Sequence, residues 1–177
     1  IIKDFMPNAA GSCLIEFGRT RVLCTATVQN SAPSYVPEGT GWLTAEYSML
    51  PGSTTTRKQR ERNKYDGRSI EIGRLIGRSL RSIMDFTAIP DLTITIDCDV
   101  IQADGGTRTA SISGGFVALS LAVKKLLESG RIERSPIKCY LAAVSAGICG
   151  GTPLLDLCYV EDSSAEADMN YVGTEDG

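Results

Sequence analysis

Between Gln102 and Ser111 the chain reads QADGGTRTAS, with two glycines, two threonines and an arginine set just before a long apolar stretch. Ahead of it, DLTITIDCDV alternates at period two. Leu92, Ile94, Ile96, Cys98 and Val100 fall on one side and Thr93, Thr95, Asp97 and Asp99 on the other, which predicts a strand. Behind it, TRTASISGGFVALSLAVKKLLESG predicts a long helix stopped at Gly130. A turn between strand and helix gathers free amide donors and the positive end of the helix dipole. Its glycines admit an anion close to the backbone, Thr107 adds a hydroxyl and Arg108 a planar fork for two oxygens. The same residues also make a helix N-cap and a tight turn, and by themselves they leave both readings open. No lysine follows the glycines and GxGxxG is absent, so neither a P-loop nor a dinucleotide fingerprint is present.

A second cluster is LLDLCYVEDSSAEADMN. PLLDLCYVED predicts a strand with Asp156 and Asp162 on one face, and Asp168 follows a short polar excursion. Residues 151–177 contain seven acidic residues and no lysine or arginine. Carboxylates gathered in this way suit a hard divalent ion such as Mg²⁺, completed by water and substrate phosphate. They also suit an acidic surface loop paired with arginines elsewhere. The third element is the polar, basic segment PGSTTTRKQRERNKYDG at residues 51–67, fitted either to a phosphate backbone or to solvent. Nine of the 18 basic residues lie between 57 and 81, so a net charge of −3 does not argue against a polyanionic partner.

These groups need a scaffold. SCLIEFG and TRVLCTATVQ read as strands broken at Gly18-Arg19, GWLTAEYSML as a third and KCYLAAVSAGICGG as a later one. RSIEIGRLIGRSLRSIMD predicts a helix with Ile72, Ile76, Leu80 and Ile83 on one face. Arg74, Arg78 and Arg81 lie opposite, as a solvated stripe with Glu71 paired to Arg74. The order of elements predicts an α+β domain, a mixed β-sheet packed with helices in a ββαβα-type arrangement. At 177 residues, 42% hydrophobic and 22% charged, the chain has the size and balance of one domain. It contains no histidine, which excludes Ser-His-Asp and Cys-His nucleophile chemistry. Six cysteines without a CxxC pair read as small buried hydrophobes in a reducing cytoplasm. No run approaches the ~18 consecutive apolar residues of a bilayer span, so no membrane partner is expected.

Taken together, GWLTAEYSMLP, GRSIEIGRLIGRSLRSIMD, TIDCDVIQADGGTRTASISGGFVAL, AAVSAGI and LDLCYVEDSSAEADMN, in this order, closely resemble the ribonuclease PH family of phosphate-dependent 3′-exoribonucleases. The halves of polynucleotide phosphorylase and the exosome ring subunits are related more distantly. The resemblance covers essentially the whole chain and implies a single ribonuclease PH-like domain over residues 1–177, without the family's extreme N-terminus, closing strand and C-terminal helix. It implies that Arg68, Gly106, Thr107 and Arg108 bind inorganic phosphate as co-substrate. It implies that Asp162 and Asp168 are catalytic and hold Mg²⁺ (or Mn²⁺), and that Arg57 and Arg60 guide RNA, chiefly the 3′ end of tRNA. It further implies a cytoplasmic enzyme that trims tRNA precursors, releases nucleoside diphosphates, runs in reverse from diphosphates, and assembles as a homohexameric ring, a trimer of dimers. The loops at PEGTGW and RNKYDGR are a residue or two shorter than the family's, and Gly73 replaces a larger polar residue, which predicts a slightly looser helix. The alternative is a non-catalytic RNA-binding subunit of an exosome-like ring. Inactive relatives lose the phosphate arginines or the paired aspartates, and this chain keeps both.

Overall fold

The computed structural model describes residues 1–60 and 66–175. The first half of the chain supplies β1 (Ile2–Lys3), β2 (Gly11–Phe17), β3 (Thr20–Gln29), β4 (Trp42–Met49), α1 (Gly67–Ser82) and β5 (Thr93–Gln102). The second half supplies α2 (Thr107–Glu128), β6 (Leu141–Cys149), β7 (Thr152–Leu155), α3 (Tyr159–Ser164) and β8 (Ala167–Thr174). The first five strands form one sheet in the order β1-β2-β3-β5-β4. Because β4 returns to β5 through α1, this pair runs parallel while its neighbours run antiparallel.

Where one mixed sheet was expected, the structure has two. β6 is the centre of a second, antiparallel sheet in the order β7-β6-β8, and α2 lies between the sheets. The cause is the composition of α2, whose buried residues (Ala110, Ile112, Gly115, Leu119 and Val123 among them) run around its circumference. A helix with no broad polar face is stable only when covered on several sides. Gly114 shows how closely it is covered: a Cβ there would sit 2.6 Å from Cys24 Sγ and 2.7 Å from Ile15 Cγ2. Toward the second sheet, the Ser113 hydroxyl donates to the Ala143 carbonyl (3.3 Å) and accepts from its amide (3.0 Å). By length and composition alone α2 would also pass for a membrane span; its place between the sheets makes it the core helix.

The predicted apolar faces meet one another. Ile72, Ile76, Leu80 and Ile83 of the α1 region share a fully buried cluster with Leu43, Ile94 and Ile96. Thr95, Asp97 and Asp99 occupy the other face of β5 and are half-buried. Thr93 departs from the alternation, being buried with its hydroxyl bonded to the Ser31 carbonyl at 2.6 Å. All six cysteines are free thiols, and Cys13, Cys24 and Cys98 lie fully buried on adjacent strands.

Two features of α1 correct or extend the sequence reading. Arg81 is not on a solvated stripe, because its guanidinium donates to the Leu43 carbonyl (3.1 Å) and stacks over Trp42 at 5.0 Å. Gly73, read from sequence only as a weak helix former, also marks a close approach: it is buried against β4, where a Cβ would lie 3.0 Å from the Ala45 carbonyl oxygen.

Candidate active site

The phosphate-turn candidate, Gly105 to Arg108, is held from three directions. The Thr20 hydroxyl, fully buried at the start of β3, donates to the Gly105 carbonyl (2.6 Å) and accepts from the Asp104 amide (2.8 Å). Gly105 and Gly106 both adopt positive φ, +79° and +58°, which their lack of a Cβ permits. Gly105 is also a point of close approach, since a Cβ would lie 2.1 Å from the Leu157 carbonyl oxygen. In α2 the amide of Ala110 bonds to the Gly106 carbonyl (2.9 Å), and the amides of Thr107, Arg108 and Thr109 find no carbonyl among the described residues. Thr109 does not cap them, because its hydroxyl donates back to Gly106 (2.9 Å). Three donors and a helix terminus thus remain for an anion.

The side chains of the turn are fixed as well. The Tyr47 hydroxyl donates to Thr107 Oγ1 at 3.0 Å. Burial pushes the Tyr47 phenol above its usual pKa, opposed by this bond and by the nearby charges of Arg68 and Arg108. Arg108 Nη2 bonds Glu71 Oε2 at 2.6 Å, so the partner of Glu71 is an arginine of the turn, not Arg74 as expected. The α1 terminus brings in Arg68: Asp66 caps it by accepting from the Arg68 amide (3.3 Å) and also pairs with Lys58 (3.2 Å).

The carboxylates arrive differently than expected. PLLDLCYVED is not one strand: β7 ends at Leu155, Asp156 takes φ +57°, and Asp162 belongs to the short helix α3. The helix is nucleated by a capping box in which Glu161 accepts from the Cys158 amide (2.9 Å) while the Cys158 side chain serves the N3 amide. Asp156 and Asp162 therefore share no strand face. Ser145 pins the hinge, with its hydroxyl accepting from the Leu157 amide (3.0 Å) and its carbonyl from the Asp156 amide (2.7 Å). Asp168 lies on β8 opposite Gly147, and Asn170, two residues on, points to the same side.

One cleft of about 850 Å³ collects Arg68, Gly106, Thr107, Arg108, Asp162 and Asp168. Asp104, Ser145, Tyr159 and Asn170 line it too, as do Thr54–Thr56 and Lys58. Arg57 and Arg60 are exposed and do not line it; Lys58 is the basic residue of their segment that does. Residues 61–65 of that basic segment lie outside the described residues. Sequence reasoning missed Tyr47 and Thr20, and it offered the basic segment 51–67 without singling out Lys58. Neither Asp162 nor Asp168 has an ion-pair partner among the described residues. No group of three or more metal-ligating side chains exists among the described residues, and the hard donors considered for a cation are the carboxylates of Asp162 and Asp168. That set does not make a protein-only cage, but it fits a Mg²⁺ ion that keeps waters and shares substrate phosphate.

The architecture is that of the exosome core subunits, α+β with a helix between two sheets. The archaeal exosome core matches at TM-score 0.77 with 21% identity, covering 99% of this chain and 69% of that one. The Archaeoglobus fulgidus exosome with RNA bound to the active site matches at 0.78 with 20% identity, covering 99% and 72%. Residues 1–125 match the model of the 3′ exoribonuclease family, domain 1. The ribonuclease PH of Syntrophomonas wolfei is 56% identical over 180 residues, covering all of this chain and 75% of that one. The chain belongs to the 3′ exoribonuclease family.

Proposed function

We propose that this protein is a phosphate-dependent 3′-to-5′ exoribonuclease that trims the 3′ ends of tRNA precursors. The observation that carries this reading is the one cleft lined together by the Gly-Gly turn at the α2 terminus, by Arg68 and Arg108, and by two carboxylates without an ion-pair partner among the described residues. Inorganic phosphate seats on the free amides at the α2 terminus, on Thr107 and between Arg68 and Arg108. One of its oxygens attacks the phosphorus of the terminal phosphodiester. The bond from that phosphorus to the 3′ oxygen of the preceding nucleotide breaks, and the last residue leaves as a nucleoside diphosphate. The proton that hydrogen phosphate gives up ends on the 3′ oxygen, so charge balances without a histidine. Such a transfer depends on positioning and charge neutralisation far more than on a basic side chain. Because phosphate enters as nucleophile and leaves within the product, nucleotides also add back from diphosphates.

Asp162 and Asp168 would hold Mg²⁺, which when bound supplies charge neutralisation at the transferred phosphoryl group. Lys58 and the threonines beside it line the wall where the RNA backbone enters. A homohexameric ring and a tRNA 3′ end as substrate complete the proposal, supported by the family likeness. Six free thiols support a reducing compartment, the cytoplasm.

The test is incubation with a tRNA carrying extra 3′ nucleotides, with and without inorganic phosphate. Nucleoside diphosphates released only with phosphate are the expected result, and monophosphates or no release would refute it. Chelation should stop turnover, and Asp168→Asn should raise the Mg²⁺ concentration needed to restore it.

A further inference from the structure

We infer that Tyr47 is a positioning residue for the attacking phosphate, acting through Thr107; this rests on the reading of Thr107 as a phosphate ligand. Tyr47 is 4% exposed, on β4, and its hydroxyl reaches across to Thr107 Oγ1 in the first turn of α2 at 3.0 Å. It does not line the cleft, whereas Thr107 does. Tyr47 therefore touches no substrate and works only through its partner.

The direction of this bond decides what Thr107 can offer. A threonine hydroxyl has one proton and two lone pairs, so it can accept and donate at once. A phenol is the more acidic of the two hydroxyls and is the natural donor to an aliphatic oxygen. Burial, which disfavours the phenolate, keeps that proton in place. With its oxygen already accepting from Tyr47, Thr107 keeps its own proton for another acceptor, and the open side of Thr107 is the cleft. An anion needs donors and is repelled by lone pairs. A free threonine hydroxyl rotates among its staggered wells and presents either. The tyrosine removes the wrong orientation before phosphate arrives, as preorganised electrostatic sites require. The strand pairing explains how the contact is held. Tyr47 lies beside Cys98 in the parallel register of β4 and β5, and the turn begins where β5 ends.

The experiment is steady-state kinetics of RNA phosphorolysis with phosphate and RNA varied separately, on Tyr47→Phe, Thr107→Val and the double variant, each checked by thermal melting. Phosphate-induced stabilisation of each variant gives a second readout that needs no turnover. Tyr47→Phe is expected to raise the KM for phosphate roughly fivefold to tenfold, within the worth of one hydrogen bond to a charged group, with the KM for RNA unchanged. Thr107→Val should raise it at least as much, and the double variant should be no worse than Thr107→Val alone. A phosphate KM that moves in Thr107→Val but not in Tyr47→Phe overturns the inference and leaves Thr107 a ligand. An unmoved phosphate KM in Thr107→Val defeats the reading of Thr107 itself. Parallel rises in both KM values, or additive effects in the double variant, mean that Tyr47 acts by general packing and also overturn the inference.

Discussion

Behind one wall of the cleft Thr20, Tyr47 and Glu71 each grip a residue of the Gly105–Arg108 turn. On the other, the side chains of Asp162 and Asp168 make no hydrogen bond or ion pair among the described residues. In the turn Thr107 is 8% exposed and Gly105, Gly106 and Arg108 are half-buried, whereas both aspartates are exposed. The difference fits what the proposed function asks each wall to receive. An anion seat works best when its donors are fixed in advance, because reorganising dipoles during the reaction costs barrier height. Under the proposed function, carboxylates that receive a hydrated cation gain from staying unpaired, since any arginine bound to them would have to be displaced. One wall is therefore finished before substrate arrives, and the other is completed by what binds.

This contrast can be broken or sharpened by substitution. The largest effect is expected for Gly105→Ala. A Cβ would meet the Leu157 carbonyl oxygen at 2.1 Å in a backbone at φ +79°, and the combined overpacking and strain should cost about 3 kcal/mol, read as a lowered melting temperature. An unchanged melt would mean that the two walls are not in contact as described. Asp162→Asn and Asp168→Asn should each lose about a hundredfold or more in kcat while melting like the parent, since neither carboxylate has an ion-pair partner among the described residues. A melting temperature several degrees lower would make the pair structural and erase the contrast.

Arg108→Ala should raise the KM for phosphate roughly thirtyfold, as expected for losing hydrogen bonds from a charged donor, with RNA binding by filter retention largely intact. Comparable loss of RNA binding would shift Arg108 to the other substrate. The smallest effect belongs to Glu71→Gln. Glu71 grips Arg108 at 2.6 Å without lining the cleft, and its side chain is 55% exposed. Neutralising it should raise the phosphate KM only about threefold, since exposed pairs contribute little. A lowered KM would instead show that Glu71 competes with phosphate for the arginine.

The same two walls differ in how far the sequence reveals them. The turn was legible as a turn because β5 alternates clearly over ten residues and α2 runs for 22, although Gly-Gly alone left an N-cap and an anion seat equally open. The carboxylate wall was misread because its elements are short. β7 has four residues and α3 six, too few for any period to emerge. The helix is started by a cysteine, which hides a capping box normally signalled by serine or threonine, and Asp156 takes a positive φ that no glycine announces. The second sheet was hidden for a related reason. Which side of α2 is covered depends on elements far along the chain, and a helix apolar all round does not say what covers it. The grips of Tyr47 and Glu71 are tertiary, spanning 60 and 37 residues, so spacing along the chain carries no trace of them.

Gly105 and Leu157 approach backbone to backbone, with no side chain between them. The stand-off between the turn at Gly105–Arg108 and the helix that carries Asp162 therefore behaves like a gauge block, cut from main chain alone. Side chains along the lining can change and retune which RNA is gripped, and how tightly, without resetting that gap. Sequence drift in this cleft is thus free to alter taste while the reach of the reaction stays constant.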